Sequence, residues 1–359
     1  MNLFANAYRG RRIVLTGHTG FKGSWLALWL QELGAEVTGI ALPPATEPSH
    51  WDLLALDVDD RRLDVRDADA LAAAIRAVRP EIVFHLAAQP LVRRSYREPL
   101  ETWSTNVMGS ANVLEACRQC DSVCAIVVVT TDKCYENKEW PWGYRESDSL
   151  GGHDPYSASK AGAELVVASY RKAFFTGSGT PLLATARAGN VIGGGDWSDD
   201  RLIPDLVRAI GQGASLEIRS PGATRPWQHV LESLSGYLQL GQRLLQGETA
   251  FAKAWNFGPA PDGNRSVAEV LGILGAHWPA SGWHLTGQPQ PHEATLLYLD
   301  SAMANAELKW RPVWSLEEAL AATAAWYGTW IEQKTLATRR QLAEFADMAK
   351  GKGIAWALP

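Results

Sequence analysis

Two hydrophobic patterns alternate along the first half of the chain. Short, mainly apolar runs at residues 12–16, 36–42, 81–85, 122–130 and 182–187 predict strands that are covered on both faces of a sheet. Glycine, proline or polar clusters separate these runs from the segments that follow them. The runs therefore predict five separate strands.

Helices are predicted between these strands. Residues 20–33, 68–78, 102–118 and 157–175 carry apolar side chains at intervals of three and four positions. Strands that alternate with such helices are typical of a parallel sheet with helices on both faces. We therefore predict an α/β fold built on a doubly wound parallel sheet of the Rossmann type.

The alternation ends near Gly189. Beyond it, glycine, proline and tryptophan cluster in "NVIGGGDW" and "SPGATRPWQHV", and a last helical stretch runs from about residue 316 to 350. We predict a sheet-containing domain over residues 1–189 and a smaller lobe over residues 190–359, with interleaved boundaries.

The charge of the chain is modest and mixed. Lysine plus arginine number 34 and aspartate plus glutamate 39, which gives a net charge of -5. Such a chain lacks the basic excess that attracts nucleic acid or an anionic membrane. Its apolar runs are too short to span a bilayer and its first residues lack a secretory pattern, so we expect a soluble cytoplasmic protein.

Four cysteines, Cys117, Cys120, Cys124 and Cys134, lie within one short segment. Their spacing matches no paired zinc-ligand pattern, whereas reduced and mostly buried thiols are common in such proteins. We therefore predict no metal site.

The first predicted turn from strand to helix carries the sequence "TGHTGFKG". It places Gly17, Gly20 and Gly23 at a G-x-x-G-x-x-G spacing. Glycines at such a turn let the backbone approach a pyrophosphate whose charge lies at the helix N-terminus. The motif and its context predict a dinucleotide site.

The residues leave the choice between NAD and NADP open. No acidic residue ends the second strand, "TGIALPP", where one would bind the adenosine ribose, and Lys22 or His18 could favour a 2'-phosphate. Asp64, in "RLDVRD" after a third strand, either reaches the adenine or caps a helix.

A tyrosine and a lysine lie four residues apart in "PYSASKAG", at the start of a predicted helix. Tyr156 and Lys160 then project from one helix face, close to the Thr131 hydroxyl at a strand end. A nearby ammonium favours the phenolate and lowers the pKa of a tyrosine, so this pair predicts a general base. An isolated pair of this kind is also common on helix surfaces.

Seven motifs, in order from about residue 11 to 320, resemble the extended short-chain dehydrogenase/reductases. Within that family they are most similar to the nucleotide-sugar 4,6-dehydratases that act on CDP-glucose. The motifs are "TGHTGFKG", "HLAAQP", "TTDK", "YSASK", "GNVIGGGDW", "RPWQHV" and "PHEATLLYLD". The resemblance implies NAD as cofactor and CDP-glucose, a nucleotide-diphosphate hexose, as substrate, in deoxysugar biosynthesis such as that of lipopolysaccharide O-antigen.

The resemblance also implies a reaction in three steps. Family enzymes oxidise C4 of the hexose, eliminate water across C5 and C6, and return the hydride to C6. Asp132 then corresponds to the acid at O6, and Lys133 to the base or proton relay at C5. Related dTDP-sugar dehydratases carry glutamate at the position of Lys133, so its role as base or as electrostatic stabiliser of the enolate stays open. A strand-end salt bridge of Asp132 with a surface cation is the structural alternative.

Further contacts follow from the same resemblance. Thr131, Asp132, Lys133, Tyr156 and Lys160 are the expected catalytic residues. The expected cofactor contacts are Gly17, His18, Thr19, Gly20, Phe21, Lys22, Gly23, Asp64, Val65, Leu86, Ala87, Ala88, Asn106, Thr130, Tyr156 and Lys160. The expected substrate contacts are Gln89, Asn190, Arg201, Arg219, Arg225, His292 and Glu293, although each arginine could instead be a solvated surface residue.

Two other functions remain as alternatives. A nucleotide-sugar 4-epimerase uses the same tyrosine, lysine and NAD, but tends to carry small uncharged residues where Asp132 and Lys133 stand. A non-catalytic dinucleotide-binding scaffold would have lost Tyr156, Lys160 or the acid. In similar enzymes the helices predicted at 102–118 and 157–175 form a four-helix interface, so we expect a homo-oligomer, either a dimer or a tetramer.

Overall fold

A computed structural model of the chain describes residues 1–279, 282–287 and 295–358. The strands within these ranges are β1 (Arg12–Thr16), β2 (Glu36–Ala41), β3 (Asp59–Arg62), β4 (Ile82–His85), β5 (Ala125–Val129), β6 (Leu182–Ala188), β7 (Val191–Ile192), β8 (Leu216–Ile218), β9 (Thr224–Pro226), β10 (Gln228–His229), β11 (Ala254–Phe257), β12 (Asn264–Ser266) and β13 (Trp283–Leu285).

Seven strands form one parallel sheet in the order β11-β6-β5-β4-β1-β2-β3. From β1 the chain first builds outward through β2 and β3, and then returns to build β4, β5 and β6 on the other side. In such a sheet a crevice opens at the carboxyl ends of the strands where the order reverses. The predicted doubly wound parallel sheet is confirmed.

The described α-helices lie between the strands along the chain and beyond the last strand of the sheet. They are α1 (Phe21–Glu32), α2 (His50–Leu54), α3 (Ala68–Val78), α4 (Val92–Arg97), α5 (Pro99–Trp103), α6 (Gly109–Arg118), α7 (Pro155–Ala173), α8 (Leu202–Gly211), α9 (Val230–Leu245), α10 (Val267–Gly275), α11 (Leu316–Gln333) and α12 (Thr338–Gly351).

Each face of the sheet carries its own core, as the alternation along β5 shows. Ala125, Val127 and Val129 belong to the larger core with α1 and α9, whereas Ile126 and Val128 belong to the core with α3, α6 and α7. Successive strand residues point to opposite faces, so an uninterrupted apolar run is what a sheet covered on both sides requires.

Two predicted helices are divided in the structure. The helix predicted at 102–118 consists of α5, a π-helical segment at Ser104–Met108, and α6. The last helical stretch is interrupted where Lys334 ends α11 in a left-handed conformation, with φ of 54°, before α12 begins. Hydrophobic spacing finds a helical segment but does not resolve such local changes of winding.

The strand at one edge of the sheet comes from the second half of the chain. β11 pairs with β6, with Ala254 beside Thr185, so residues far beyond 189 complete the sheet. Its four residues, "AWNF", were not predicted as a strand. The division into domains at residue 189 stays a prediction.

Candidate active site

The carboxyl ends of the central strands open into a cleft of about 1130 Å³. One side is formed by the turn before α1, the end of β5 and the first turns of α7. The other side is formed by residues 189–225, which we call the lobe side of the cleft. The cleft therefore lies at the reversal of strand order, between the sheet and the lobe.

The turn before α1 requires glycine at two positions. Gly17 has φ of 77°, and a Cβ there would lie 2.7 Å from the Ala87 amide nitrogen. A Cβ at Gly23 would lie 2.0 Å from the Gly17 carbonyl oxygen. Gly20 caps α1 without a side-chain hydrogen bond, and the first turn holds no carboxylate. The turn therefore fits the pyrophosphate of a dinucleotide, which needs close backbone approach and the positive end of a helix.

Most predicted cofactor contacts line the cleft, and His18 does not. The cleft is lined by Gly17, Thr19, Gly20, Phe21, Lys22, Gly23, Asp64, Val65, Leu86, Ala87, Ala88, Thr130, Tyr156 and Lys160. The His18 imidazole is fully buried, with Nε2 2.9 Å from Asp60 Oδ1 and its ring edge against Trp51. Since the ring is engaged outside the cleft lining, a cofactor contact at His18 can involve only its backbone.

Asp64 does not cap the following helix. The cap of α3 is Asp67, whose side chain accepts from the Ala70 amide, so the helix-cap alternative for Asp64 was wrong. The Asp64 carboxylate instead accepts from Arg66, with Nε 2.9 Å from Oδ2, and this hydrogen bond lowers its pKa. Asp64 therefore faces the cleft as an anion.

Asn106 and Gln89 are engaged with protein partners. The Asn106 amide donates to the Gln89 carbonyl at 3.1 Å and to Ser159 Oγ at 2.8 Å, and Asn106 is not in the cleft lining. The Gln89 amide donates to Thr102 Oγ1 at 2.9 Å and its oxygen accepts from the Leu91 amide. Both side chains thus hold the loop after β4. Asn106 lies outside the cleft lining, which differs from the predicted cofactor contact, whereas Gln89 lines the cleft and its substrate contact stays a prediction.

The turn after β5 brings a carboxylate and an amine together. Thr131 Oγ1 donates to Asp132 Oδ1 at 2.8 Å, and Lys133 Nζ lies 3.8 Å from the same oxygen. Lys133 Nζ also donates to Asn190 Oδ1 at 3.4 Å, so Asn190 of the lobe reaches the catalytic side of the cleft. Asp132 is 1% exposed. Within the described residues, its Oδ2 has no hydrogen-bond partner.

The cation beside Asp132 is therefore Lys133 inside the cleft, rather than a surface residue. A buried carboxylate oxygen without a partner is costly, and it has hydrogen-bonding capacity to offer a bound molecule. This arrangement favours a proton-transfer role over a purely structural salt bridge.

Tyr156 and Lys160 lie on the first turns of α7, which Asp154 caps by accepting from the Ser157 amide. Burial raises the pKa of Tyr156 to about 12, against the opposing effects of a hydrogen bond with Thr131 and the charge of Arg201. Lys160 Nζ donates to the Val129 carbonyl at 3.2 Å, and burial lowers the pKa of Lys160 to about 8. The sequence predicted that the nearby ammonium would lower the pKa of Tyr156. In the protein alone, burial raises it instead.

Sequence reasoning treated Lys22 only as a cofactor contact. Burial, together with the nearby charges of Arg201 and Lys160, lowers the pKa of Lys22 to about 7. Its Nζ donates to the Tyr237 hydroxyl at 3.4 Å, and its charge interacts with Asp132. The first turn of α1 therefore adds a third lysine to the catalytic side. No spacing pattern links residue 22 to residue 132, because only the sheet order brings them together.

The lobe side of the cleft carries arginines next to aspartates. Arg201 Nη1 lies 3.0 Å from Asp196 Oδ2, and Arg219 Nη2 lies 3.7 Å from Asp200 Oδ1. Arg93 of α4, which was not predicted as a site residue, reaches the same Asp200 oxygen at 2.8 Å. All five side chains line the cleft.

Arg225 is buried, at 5% exposure, and donates to the Thr224 carbonyl at 2.9 Å while lining the cleft. The alternative that Arg225 is a solvated surface arginine was wrong. His292 and Glu293, the remaining predicted substrate contacts, lie outside the described residues.

Cys117, Cys120 and Cys134 are buried as free thiols and Cys124 is exposed. Among residues 1–279, 282–287 and 295–358, no three histidine, cysteine or acidic side chains are grouped so that they could hold a metal ion. No helix in the same ranges is long and apolar enough to cross a membrane.

A family model and a similar protein assign this chain to the same family. The model of the NAD dependent epimerase/dehydratase family matches residues 13–256. The CDP-glucose 4,6-dehydratase of Salmonella typhimurium is 46% identical over 349 residues, which cover 95% of this chain and 97% of that protein.

Solved structures agree in fold. DesIV, a dTDP-glucose 4,6-dehydratase from Streptomyces venezuelae crystallised with NAD, matches with a TM-score of 0.76 and 26% identity, covering 88% of this chain and 97% of that one. The epimerase Mth375 of Methanothermobacter thermautotrophicus matches with a TM-score of 0.81 over 94% of this chain and 96% of that one. At 24% identity, this second likeness is one of fold alone.

Proposed function

Because this chain belongs to the NAD dependent epimerase/dehydratase family, we propose that its cleft converts CDP-D-glucose to CDP-4-keto-6-deoxy-D-glucose and water. It is an NAD-dependent lyase of nucleotide-sugar metabolism. One observation supports this reaction above the alternatives. Asp132 is buried beside Lys133, and among the described residues its Oδ2 has no hydrogen-bond partner. Tyr156 and Lys160 line the same cleft.

The turn at Gly17, Gly20 and Gly23 would hold the pyrophosphate of NAD, with Lys22 and Lys160 nearby in the same cleft. Bound NAD supplies a hydride acceptor for C4 of the hexose, a hydride donor for C6, and the positive charge of the oxidised nicotinamide. Leu86, Ala87 and Ala88 line the same cleft and provide apolar contacts for the cofactor.

Tyr156 is the base that takes the proton of the C4 hydroxyl. Thr131 supports it when its hydroxyl proton turns from Asp132 to the phenolate, because that hydrogen bond lowers the pKa of Tyr156 against the effect of burial. Lys160 supplies a buried positive charge one turn along α7. Burial dominates in the protein alone, so the Tyr156 phenolate would need additional positive charge, which oxidised NAD would supply when bound.

Asp132 and Lys133 perform the elimination. Once C4 is a ketone, the C5 proton becomes acidic. Lys133 either accepts this proton, or stabilises the enolate while the Asp132 carboxylate takes the proton from C5 and passes it to O6. Asp132 gives a proton to the departing C6 hydroxyl through its oxygen that is not bonded to Thr131. Lys133 Nζ lies 3.8 Å from Asp132 Oδ1, so the amine and the carboxyl group stand side by side in the cleft.

The lobe binds the anionic half of the substrate. Arg225, Arg219 and Arg201 line the cleft and provide donors for a diphosphate. Asn190 orients Lys133 toward the sugar through its side-chain oxygen.

We also infer that the protein acts as a homodimer in the cytoplasm, in a deoxysugar pathway such as that of O-antigen. Large apolar side chains are exposed on α5, the π-helical segment and α7, namely Leu100, Trp103, Met108 and Leu165, with exposures between 40% and 83%. Two copies that pack these helices together would cover that surface. Sedimentation of the protein and of a Leu100→Lys/Leu165→Lys variant tests this, since the variant should be monomeric.

The proposed reaction is tested with a panel of nucleotide-diphosphate glucoses, with the 4-keto-6-deoxy product followed by its alkaline absorbance. CDP-glucose should be converted without net consumption of NAD, and a deuterium at C4 should appear at C6. Stoichiometric NADH with a stable 4-keto-hexose would contradict the proposal. A C4 epimer as product would favour the epimerase instead.

A further inference from the structure

A buried ion pair lies directly behind the catalytic groups, outside the cleft lining. Glu164, one turn beyond Lys160 on α7, accepts from Arg187 of β6, with Nη2 2.7 Å from Oε2. The two side chains are 3% and 4% exposed. Burying two charges costs free energy that their mutual attraction barely offsets, so such a pair is weak evidence for a role in stability.

The Glu164 carboxylate is also held by two hydroxyls. Thr185 Oγ1 donates to Oε2 at 2.9 Å, and Thr130 Oγ1 donates to Oε1. Thr130 immediately precedes Thr131, whose hydroxyl is hydrogen-bonded to Asp132. The carboxylate thus ties the end of β5 to the helix that carries Tyr156 and Lys160.

The network continues away from the cleft. Arg187 Nη1 donates to the Tyr135 hydroxyl at 2.8 Å, and that hydroxyl donates to Asn256 Oδ1 at 2.7 Å. Glu164 is therefore fixed from α7, β5, β6 and, through Arg187 and Tyr135, from β11. A carboxylate held in this way cannot turn toward the substrate.

We propose that Glu164 is a positioning residue for the dehydratase reaction: it fixes the end of β5 against α7 and keeps the Lys160 ammonium charged inside the buried site. This inference rests on the proposed function.

The charges around Lys160 support this role. The titratable groups that interact with Lys160 or adjoin it are Glu164 on α7, Tyr156 on α7, Cys134 after β5, His85 on β4 and Lys22 on α1. Burial raises the pKa values of Cys134 and Tyr156 and lowers that of His85 to about 3, so all three are neutral near pH 7. Within this group of described residues, only Glu164 is an anion.

Glu164 therefore opposes the desolvation of Lys160. Burial lowers the pKa of Lys160 to about 8, and the negative charge of Glu164 is the largest influence in the other direction. Without Glu164, Lys160 would lose its proton at lower pH. A neutral amine stabilises the Tyr156 phenolate less well, so C4 oxidation should slow and its alkaline limit should move to lower pH.

The test is the double variant Glu164→Gln/Arg187→Gln, which removes both charges and leaves no lone buried ion. In single turnovers with CDP-glucose, we expect C4 oxidation at pH 7.5 to fall about tenfold or more, and the alkaline limb to move down by about one pH unit. KM should change less than about threefold, because neither side chain lines the cleft. Slow oxidation with an unmoved alkaline limb would overturn the electrostatic part of the proposal.

Thr185→Val is the matched control. It removes a hydrogen bond from Glu164 Oε2 without changing a charge. It should therefore leave the alkaline limb in place. Glu164→Asp, which keeps the negative charge and the Arg187 partner, should restore most of the rate that the double variant loses.

A measurement without substrate separates this inference from the proposed function. Acetylation of Lys160 by acetic anhydride at a series of pH values, quantified by peptide mass spectrometry, reports the pKa of the amine. We expect a value of about 8 in the parent protein and a lower one in the double variant.

A parent value below 7, or equal values in the two proteins, would overturn the inference. It would do so even if the protein dehydrates CDP-glucose. Conversely, a shifted Lys160 titration in a protein that fails to dehydrate CDP-glucose would refute the proposed function and leave the role of Glu164 intact.

Discussion

The two sides of the cleft are built differently. On the sheet side, Asp132, Tyr156 and Lys160 are 1%, 8% and 7% exposed, and two of them are fixed by short contacts to Thr131 Oγ1 and the Val129 carbonyl. On the lobe side, Arg225 is 5% exposed, but the Arg201 and Arg219 side chains are 30% and 27% exposed and lie against aspartates on a loop.

The difference in burial between the two sides matches two different functions, proton transfer and diphosphate binding. Proton transfer needs groups whose pKa values are set by burial and whose positions are fixed to a fraction of an ångström. A diphosphate needs several donors and tolerates solvent, because charge-assisted hydrogen bonds to arginine remain favourable near the surface.

The acidic loop on the lobe side is made compatible with an anionic substrate by these pairings. Asp196 and Asp200 are paired as described above, and Asp199 lies 3.3 Å from Arg208. Carboxylates that are neutralised in this way no longer repel a phosphate. The lobe side should therefore control affinity, whereas the sheet side should control the rate of chemistry.

The largest effect should come from Tyr156→Phe, on the sheet side. The residue that takes the C4 proton then has no oxygen, so C4 oxidation should fall by about four orders of magnitude or more. No transient NADH absorbance should appear in a single turnover.

Tyr170→Phe is the matched control, because Tyr170 lies on the same helix and its hydroxyl contacts Glu115, outside the cleft. It should keep the parental rate. NADH formation at the parental rate in Tyr156→Phe would remove that tyrosine from its role.

A smaller effect, confined to one step, is expected from Lys133→Met. Oxidation at C4 does not require this amine, so NADH and the 4-keto-glucose nucleotide should accumulate while dehydration slows by about two to four orders of magnitude. Exchange of the C5 proton in deuterated water should slow in parallel. Asp132→Asn should instead keep that exchange and fail to expel water.

Lys138→Met serves as the control for Lys133→Met, since Lys138 is half exposed and lies 3.5 Å from Glu136. Dehydration at the parental rate in Lys133→Met would make that lysine structural. Both protons would then have to be handled by Asp132 or by a group outside this turn.

The smallest effect should come from the lobe side, with Arg225→Gln. Loss of a donor to the diphosphate should raise KM for CDP-glucose by about 10- to 100-fold and change kcat less than about threefold. Arg265→Gln is its control, since Arg265 lies opposite Arg225 in the pair of β12 and β9 but is not in the cleft lining. If Arg225→Gln lowered kcat as much as the sheet-side variants do, the division into a side that controls rate and a side that controls affinity would be wrong.

Local patterns in the sequence were sufficient for most of the sheet side. The bounds of β1 and α3, the glycine turn, the polar residues after β5 and the start of α7 could all be predicted, because each depends on neighbours within about one turn or one strand. Tyr156 and Lys160 were predicted as a pair from their spacing and from Thr131 at a strand end. The roles of Asp132 and Lys133 came from the resemblance to nucleotide-sugar dehydratases, and they stay predictions.

Tertiary structure decided the side-chain partners and the pKa values, because these depend on burial and on residues distant in the sequence. It placed the His18 ring against Asp60 and Trp51, brought Lys22 to Asp132, and joined Arg93 to Asp200 across the cleft. It also set the direction of the Tyr156 pKa, because desolvation depends on every element packed around a group and leaves no trace in its local sequence. The sequence thus determined which groups lie at the ends of the strands, and the packing between sheet and lobe determined their charge states and partners.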